Sequence, residues 1–328
     1  MKRIFFIGGI VLLLAILIEV SLRVALGLGS PPLVQADDQI GYLFKPGQDV
    51  QRFGNRIAIN EYHQRSDELS SDGQSVRIMF VGDSVTWGSV LLDQRETYPE
   101  LFRALMQATC DRPVEALNAS AGSWGMGNRQ AYMERFGTFE SDIVVLQIGS
   151  HDLLQSTSTS DVVGRDHGFP DEAPTLAMQE LLVRYAWPRI RNVLGILSLP
   201  VYADGNGMVA PFSNSDFSRN MDKLSEMVAL IREADGQPVV LSTSDRNEVV
   251  RENSTFADTY EVYRSAFLTR TDSLDVPVIN MLSKWQGHSE TPTFFRDEVH
   301  LTAEGNEAIA AALYDTLWDL SLASACRE

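Results

Sequence analysis

A serine near the first quarter of the chain and an aspartate and histidine near its end stand in contexts suited to nucleophilic chemistry. Ser84 lies in Gly82-Asp83-Ser84-Val85-Thr86-Trp87-Gly88, directly after the apolar run Ile78 to Val81. Such a run reads as a buried strand, and the glycine that ends it lets the backbone turn sharply. The hydroxyl is thereby delivered to the strand's carboxyl end, where open α/β sheets gather their ligands. A serine hydroxyl attacks an ester only when a base takes its proton and that base is held in one tautomer. Asp297 and His300, in Arg296-Asp297-Glu298-Val299-His300, bring both residue types into one loop, just before a helical pattern from about Glu304 to Leu320. Gly-Asp-Ser alone is ordinary turn composition. The two motifs together are what point to acyl chemistry.

Two further blocks follow predicted strands. Asn118-Ala119-Ser120-Ala121-Gly122-Ser123-Trp124-Gly125 is a small-residue loop, and Gly149-Ser150-His151-Asp152 ends the third strand. With these blocks the chain resembles the SGNH (GDSL-type) hydrolases over roughly Val76 to Leu320; that family's first motif is Gly-Asp-Ser-x-Thr-x-Gly and its last is Asp-x-x-His. The resemblance implies Ser84 as nucleophile, His300 as general base and Asp297 as the group that orients it. It also implies an oxyanion hole from the N–H groups of Ser84 and Gly122, with Ser123 the alternative if the register shifts by one, and no metal or organic cofactor. Each such donor matters, since losing one costs about 3 to 4 kcal/mol of transition-state stabilisation. The chain departs from the family at His151, where relatives usually carry asparagine. A neutral imidazole still has one N–H to donate, so His151 is expected as a third oxyanion donor, the alternative being that this donor is lost.

The elements that must position these groups alternate. Strands are predicted at Val76–Val81, Val114–Leu117, Ile143–Ile148, Val239–Leu241 and Val276–Ile279, with helices at about Tyr98–Ala108, Gly127–Phe136, Phe217–Ala234 and Ala257–Thr269. Alternation of this kind implies right-handed crossovers and a parallel, helix-covered sheet. The expected fold is α/β: a three-layer, flavodoxin-like sandwich around a central parallel five-stranded sheet, plus an N-terminal transmembrane helix.

That helix begins after Lys2-Arg3. Ile4 to Ile18 is uninterrupted by charge, and with Glu19 to Leu28 the segment is long enough to cross a bilayer, which takes about 20 residues. The reading is an anchor over residues 1–29 with Lys2 and Arg3 kept inside, so that the rest is extracytoplasmic. The alternative is a signal peptide cleaved near Val34-Gln35-Ala36, which would leave a secreted protein. Residues 30–75 read as a juxtamembrane approach segment, with a short strand near Arg56–Asn60. Its Asn60-Glu61-Tyr62-His63-Gln64-Arg65-Ser66 resembles lead-ins of anchored bacterial members of the family. Residues 76–328 form the hydrolase domain. Within it 153–215 exceeds what a connection needs, and its apolar stretches suit a cap over the pocket, a face resting on the membrane, or packing on the core.

With 27 basic and 44 acidic residues the 328-residue chain has a formal charge of -17, which disfavours nucleic acid as a partner. Cys110 and Cys326 are too few for a disulfide framework, and their sequence positions do not decide whether they pair. The expected function is a serine esterase acting through an acyl-enzyme on carboxylic esters. O-acetyl groups on a polysaccharide fit an anchored enzyme, while lipid esters and acyl thioesters fit the same machinery, and activity is expected to fall below about pH 6.5 as the histidine base protonates. The alternatives are an O-acetyltransferase that hands the same acyl group to a glycan, and a non-catalytic binding protein on a degraded hydrolase fold.

Overall fold

The computed structural model describes residues 2–71, 73–187, 189–190, 214–250, 254–318 and 326. The chain begins with α1 (Lys2–Leu26), followed by two antiparallel hairpins, β1 (Val34–Asp37) with β2 (Gly41–Phe44) and β3 (Gln48–Arg52) with β4 (Asn55–Ile59). Then come β5 (Val76–Gly82), α2 (Ser84–Trp87), α3 (Tyr98–Gln107), β6 (Val114–Ser120), α4 (Met126–Phe136) and β7 (Ile143–Ile148). A short helix, α5 (Ala177–Glu180), runs on into wider helical turns over Leu181–Ala186. The remaining elements are α6 (Asn214–Glu233), β8 (Gln237–Ser242), α7 (Arg246–Val250), α8 (Ser254–Ser273), β9 (Val278–Asn280), α9 (Met281–Trp285) and α10 (Ala303–Leu317).

Strands β5 to β9 make one parallel sheet in the order β6-β5-β7-β8-β9. Their continuous apolar runs are what a sheet covered on both faces requires. On β5, Ile78 and Phe80 pack with α3, α9 and α10, through Tyr98, Phe102, Trp285 and Leu313. Met79 and Val81 point the other way, toward Tyr132 of α4, Leu224 and Ile231 of α6 and Phe267 of α8. The result is the three-layer α/β sandwich expected. The last strand starts two residues later than the sequence suggests. Pro277 has no N–H to give a ladder; its carbonyl accepts from Val240 N at 2.9 Å, and regular pairing begins at Val278.

The stretch 30–75 is woven into this core. Val34, Tyr42, Phe44, Ile57 and Ile59 are buried in the same cluster as β5 and α4. Arg65, fully buried, donates to the carbonyls of Trp87 (2.5 Å), Ser89 (2.7 Å) and Leu92 (2.7 Å), so it holds the chain that leaves α2. Cys110 and Cys326 are joined by a disulfide, their Cα atoms 4.7 Å apart. Residues 191–213 of the expected cap lie outside the described residues; its described end, α5 with the turns after it, packs on α1.

Candidate active site

β5 ends at Gly82, where a side chain has no room: a Cβ there would stand 1.9 Å from Thr86 Oγ1 and 2.7 Å from Gln147 Oε1. Asp83 follows as the N-cap of α2 and accepts from Val85 N at 2.8 Å through Oδ1. Ser84 is thus the first residue of a four-residue helix that stops at Gly88 with φ +79°, a left-handed conformation glycine adopts without strain. Thr86 Oγ1 lies 2.8 Å from the Tyr98 hydroxyl, so Asp83 and Thr86 brace the turn around the serine.

The loop before α10 folds back on itself through backbone bonds from Arg296 N to His300 O (2.8 Å) and from Thr302 N to Phe294 O (2.9 Å). This return sets His300 beside Ser84, its Nε2 3.0 Å from Ser84 Oγ. The imidazole is buried, and its Nδ1 lies 2.8 Å from Asp297 Oδ2. Asp297 also accepts from the N–H groups of His300 (2.8 Å) and Val299 (3.0 Å). Burial alone would raise the Asp297 carboxyl; the hydrogen bond and charge of His300, with these N–H donors, outweigh it and hold it well below the usual range. The serine, imidazole and carboxylate therefore form one hydrogen-bonded chain.

Gly122 sits on a turn just beyond β6, at the same edge of the sheet. Trp124 N donates to Ala121 O at 3.2 Å, and Ser123 takes φ +61° to close the turn. Among the described residues no backbone carbonyl accepts from the N–H of Ser84 or of Gly122. A Cβ on Gly122 would meet nothing within 4 Å, so this face of the turn is open. Bonds from outside hold the turn: the Tyr42 hydroxyl of β2 donates to Gly122 O, Trp124 Nε1 donates to Tyr42 O (3.0 Å), and Gln155 Nε2 donates to Ser123 O (2.8 Å). Tyr42 was not singled out from sequence, because its partner lies 80 residues away. Replacing Tyr42 by phenylalanine removes a neutral hydrogen bond worth about 1 kcal/mol net. A fall in kcat of about 3- to 10-fold with KM nearly constant is the expected result, measured on a short-chain ester.

His151 differs from expectation. Its Nε2 lies 2.6 Å from Asp83 Oδ2 and its Nδ1 3.2 Å from Asp245 Oδ1, so both ring nitrogens face carboxylates and neither N–H is left for an oxyanion. Ionised carboxylates only accept hydrogen bonds, so the ring that satisfies both is an imidazolium. Burial pushes against that charge, but Asp152, Asp245 and Asp83 together raise His151 well above the ordinary histidine value. Glycine precedes it for space, since a Cβ on Gly149 would come 2.6 Å from the ring.

Arg129 of α4 completes the cluster, 2.5 Å from Asp152 Oδ1 and 3.7 Å from Asp83 Oδ2. Asp83, His151 and Asp152 approach one another closely enough to hold a metal ion. The guanidinium of Arg129 and the charged ring already supply cations to that site. Asp245 and Arg129 were missed from sequence. The clue for Asp245 was its place just beyond the end of β8, and for Arg129 a charge inside a helix whose neighbours Met126, Tyr132 and Met133 are core residues.

The sequence profile of the GDSL-like lipase/acylhydrolase family matches residues 80–308, from the middle of β5 into α10. The chain belongs to that family. As a GDSL-like hydrolase it is an ester hydrolase of the SGNH fold. Solved structures similar to it include an acetyl xylan esterase (14% identity over 74% of this chain and 100% of that one, TM-score 0.48). Another is an acetylxylan esterase from Geobacillus stearothermophilus (13%, 74% and 93%, TM-score 0.47). A third is a lipase/acylhydrolase from Enterococcus faecalis (13%, 74% and 96%, TM-score 0.45). No curated protein sequence matches the chain.

Proposed function

We propose that this GDSL-like hydrolase is a serine esterase in which Ser84, His300 and Asp297 form the catalytic triad, acting on O-acetyl or other short acyl esters of an extracytoplasmic glycan or lipid. One observation carries the reading: the unbroken contact from Ser84 Oγ through the His300 ring to Asp297, between residues 216 positions apart. Ser84 Oγ attacks the ester carbonyl as His300 Nε2 takes its proton. The oxyanion is met by the N–H groups of Ser84 and Gly122. Collapse of the tetrahedral intermediate expels the alcohol, which receives the proton from His300 and leaves the acyl group on Ser84. Water then attacks with the same base, the acid departs and Ser84 is restored.

In this reading residues 1–29 are a retained anchor, and 30–75 lead from it into the hydrolase domain of 76–328 while packing in that domain's core. The basic Lys2 and Arg3 before the apolar helix support that orientation. So does the Cys110–Cys326 disulfide, which suits an oxidising compartment.

Acetate release from acetylated glycans and short-chain lipid esters, followed across pH, tests the reading. Acetate should appear in step with ester loss. The rate should fall on the acid side as a single base takes up a proton; Asp297, held low, remains ionised there. An acetyl group moved to an acceptor glycan without acetate would mark a transferase instead. Failure to cleave any ester, p-nitrophenyl acetate included, would end the reading.

A further inference from the structure

Helix α1 does not leave the domain as a free stalk. Ala15, Glu19 and Leu22 are its partly covered residues, spaced along one helical face. Glu19 caps α5, accepting from Ala177 N (2.7 Å) and Met178 N (3.0 Å). Arg23 pairs with Glu19 at 2.7 Å and donates to Thr175 O at 2.9 Å. Below the helix, Phe53 N donates to Leu26 O (3.0 Å), Arg52 to Gly27 O (2.6 Å) and Gly29 N to Glu180 Oε2 (2.6 Å). The last three turns of α1 are therefore fixed to the domain.

That attachment sets how near the domain stands to lipid. The free apolar part, Ile4 to Leu14, rises only about 16 Å at 1.5 Å per residue, against a hydrocarbon thickness of about 30 Å. A span of about 20 residues from Ile4 reaches Arg23, which is level with the start of α5 by the contacts just given. Outside α1, eight large apolar side chains are exposed among the described residues, and five of them fall in this one segment: Leu176, Leu182, Val183, Trp187 and Ile190. The others, Leu91, Leu105 and Val262, are scattered. Arg184 and Arg189 lie among the five; the segment's one acid, Glu180, is buried against Arg52 and 3.8 Å from Arg184, so the exposed charge here is that of Arg189 with part of Arg184.

We propose that Leu176–Ile190 lies in the outer interface of the bilayer that α1 crosses, its apolar side chains at the acyl boundary, Trp187 at headgroup depth and Arg184 and Arg189 against anionic lipid phosphates. The occupant of this face is lipid, and the domain is seated on the membrane in one orientation. Interfacial segments combine these residue types for the same reason: the apolar face leaves water while cations remain with the headgroups.

The inference rests on α1 being a retained span, and the experiment separates the two. The full chain is placed in phosphatidylcholine/phosphatidylglycerol vesicles with a thiol-reactive fluorophore on Val183→Cys, and separately on Val262→Cys of α8. Both native cysteines are bonded, so each label is unique. The label at 183 should be quenched about twofold or more by spin-labelled lipid and spared by aqueous iodide, with the reverse at 262. In the unsubstituted chain, brominated lipid should quench a tryptophan component that Trp187→Phe removes, which serves if a cysteine variant folds poorly. A chain that floats with vesicles while the 183 label behaves like the 262 label overturns the seating and leaves the anchor standing. A chain that does not float overturns both.

Discussion

Alanine at position 84 is expected to reduce ester turnover by about 10^4- to 10^6-fold, with the fold intact. The size follows from the geometry. Ser84 Oγ is the group placed 3.0 Å from the buried imidazole, and removing it leaves His300 only water to activate, held by nothing in particular. In the proposed site the oxyanion is met by the backbone N–H groups of residues 84 and 122, which survive the change, so the remaining rate should stay above that in water and KM should move little. His300→Ala should cost nearly as much, and the double variant no more than the worse single one, because the residues act as a unit. The measurement is kcat and KM on p-nitrophenyl acetate for the three variants, with melting curves to confirm folding. Additive losses in the double variant would mean that the two groups do not share a step.

The second large effect is on stability. Removing the His151 ring strands Asp83 and Asp245, both buried, without the charge that bridges them. Breaking a buried pair in this way typically costs about 3 to 5 kcal/mol. Arg129 remains near Asp83 and limits the damage there, whereas Arg264 is engaged with Glu248 and the Ser150 hydroxyl. His151→Ala should therefore unfold at markedly lower temperature, and its kcat should drop about a hundredfold, because Asp83 caps the helix that aims Ser84. Asparagine, the usual family residue, is neutral and should not rescue either property. The pH dependence has a definite sign. A raised imidazolium contributes fully below the pH where a free histidine titrates, and its contribution is lost as pH climbs through the raised value. Asp83 behaves oppositely. Burial works against its charge, but His151 and Arg129 bring it down to about 2, so its contribution holds above the ordinary carboxyl range and fades only as pH falls toward 2. Resistance of the native protein to denaturation should thus weaken on the alkaline side, and that alkaline loss should be absent from His151→Asn. An unchanged alkaline limb would mean that the ring is neutral in the folded state.

Much of this was legible in the sequence, for identifiable reasons. β5 and β7 are buried on both faces, so their apolar runs stand out, and the chemical motifs sit at strand ends where turn residues mark them. Most helices fell within a few residues of their expected limits, with α6 starting three residues early and α8 extending from 254 to 273 rather than 257 to 269. The hairpin β1–β2 was not read. Its turn relies on Asp37 accepting from Gln39 N (3.0 Å) and Ile40 N (2.8 Å), a signal too common to single out. His151 was read by analogy with an asparagine that donates toward substrate. Its actual partner, Asp245, lies 94 positions away, and only the fold puts a second carboxylate beside the ring. Tyr42 and Arg65 escaped for the same cause: a residue outside the motif block braces the block from a distance.

The most direct test of the triad is to trap the acyl-enzyme. Acid quenching during turnover of a slow ester, followed by peptide mass analysis, should find one added acyl group on the peptide carrying Ser84, and none in Ser84→Ala or His300→Ala. An acyl group on another residue, or undiminished turnover in Ser84→Ala, would contradict the account.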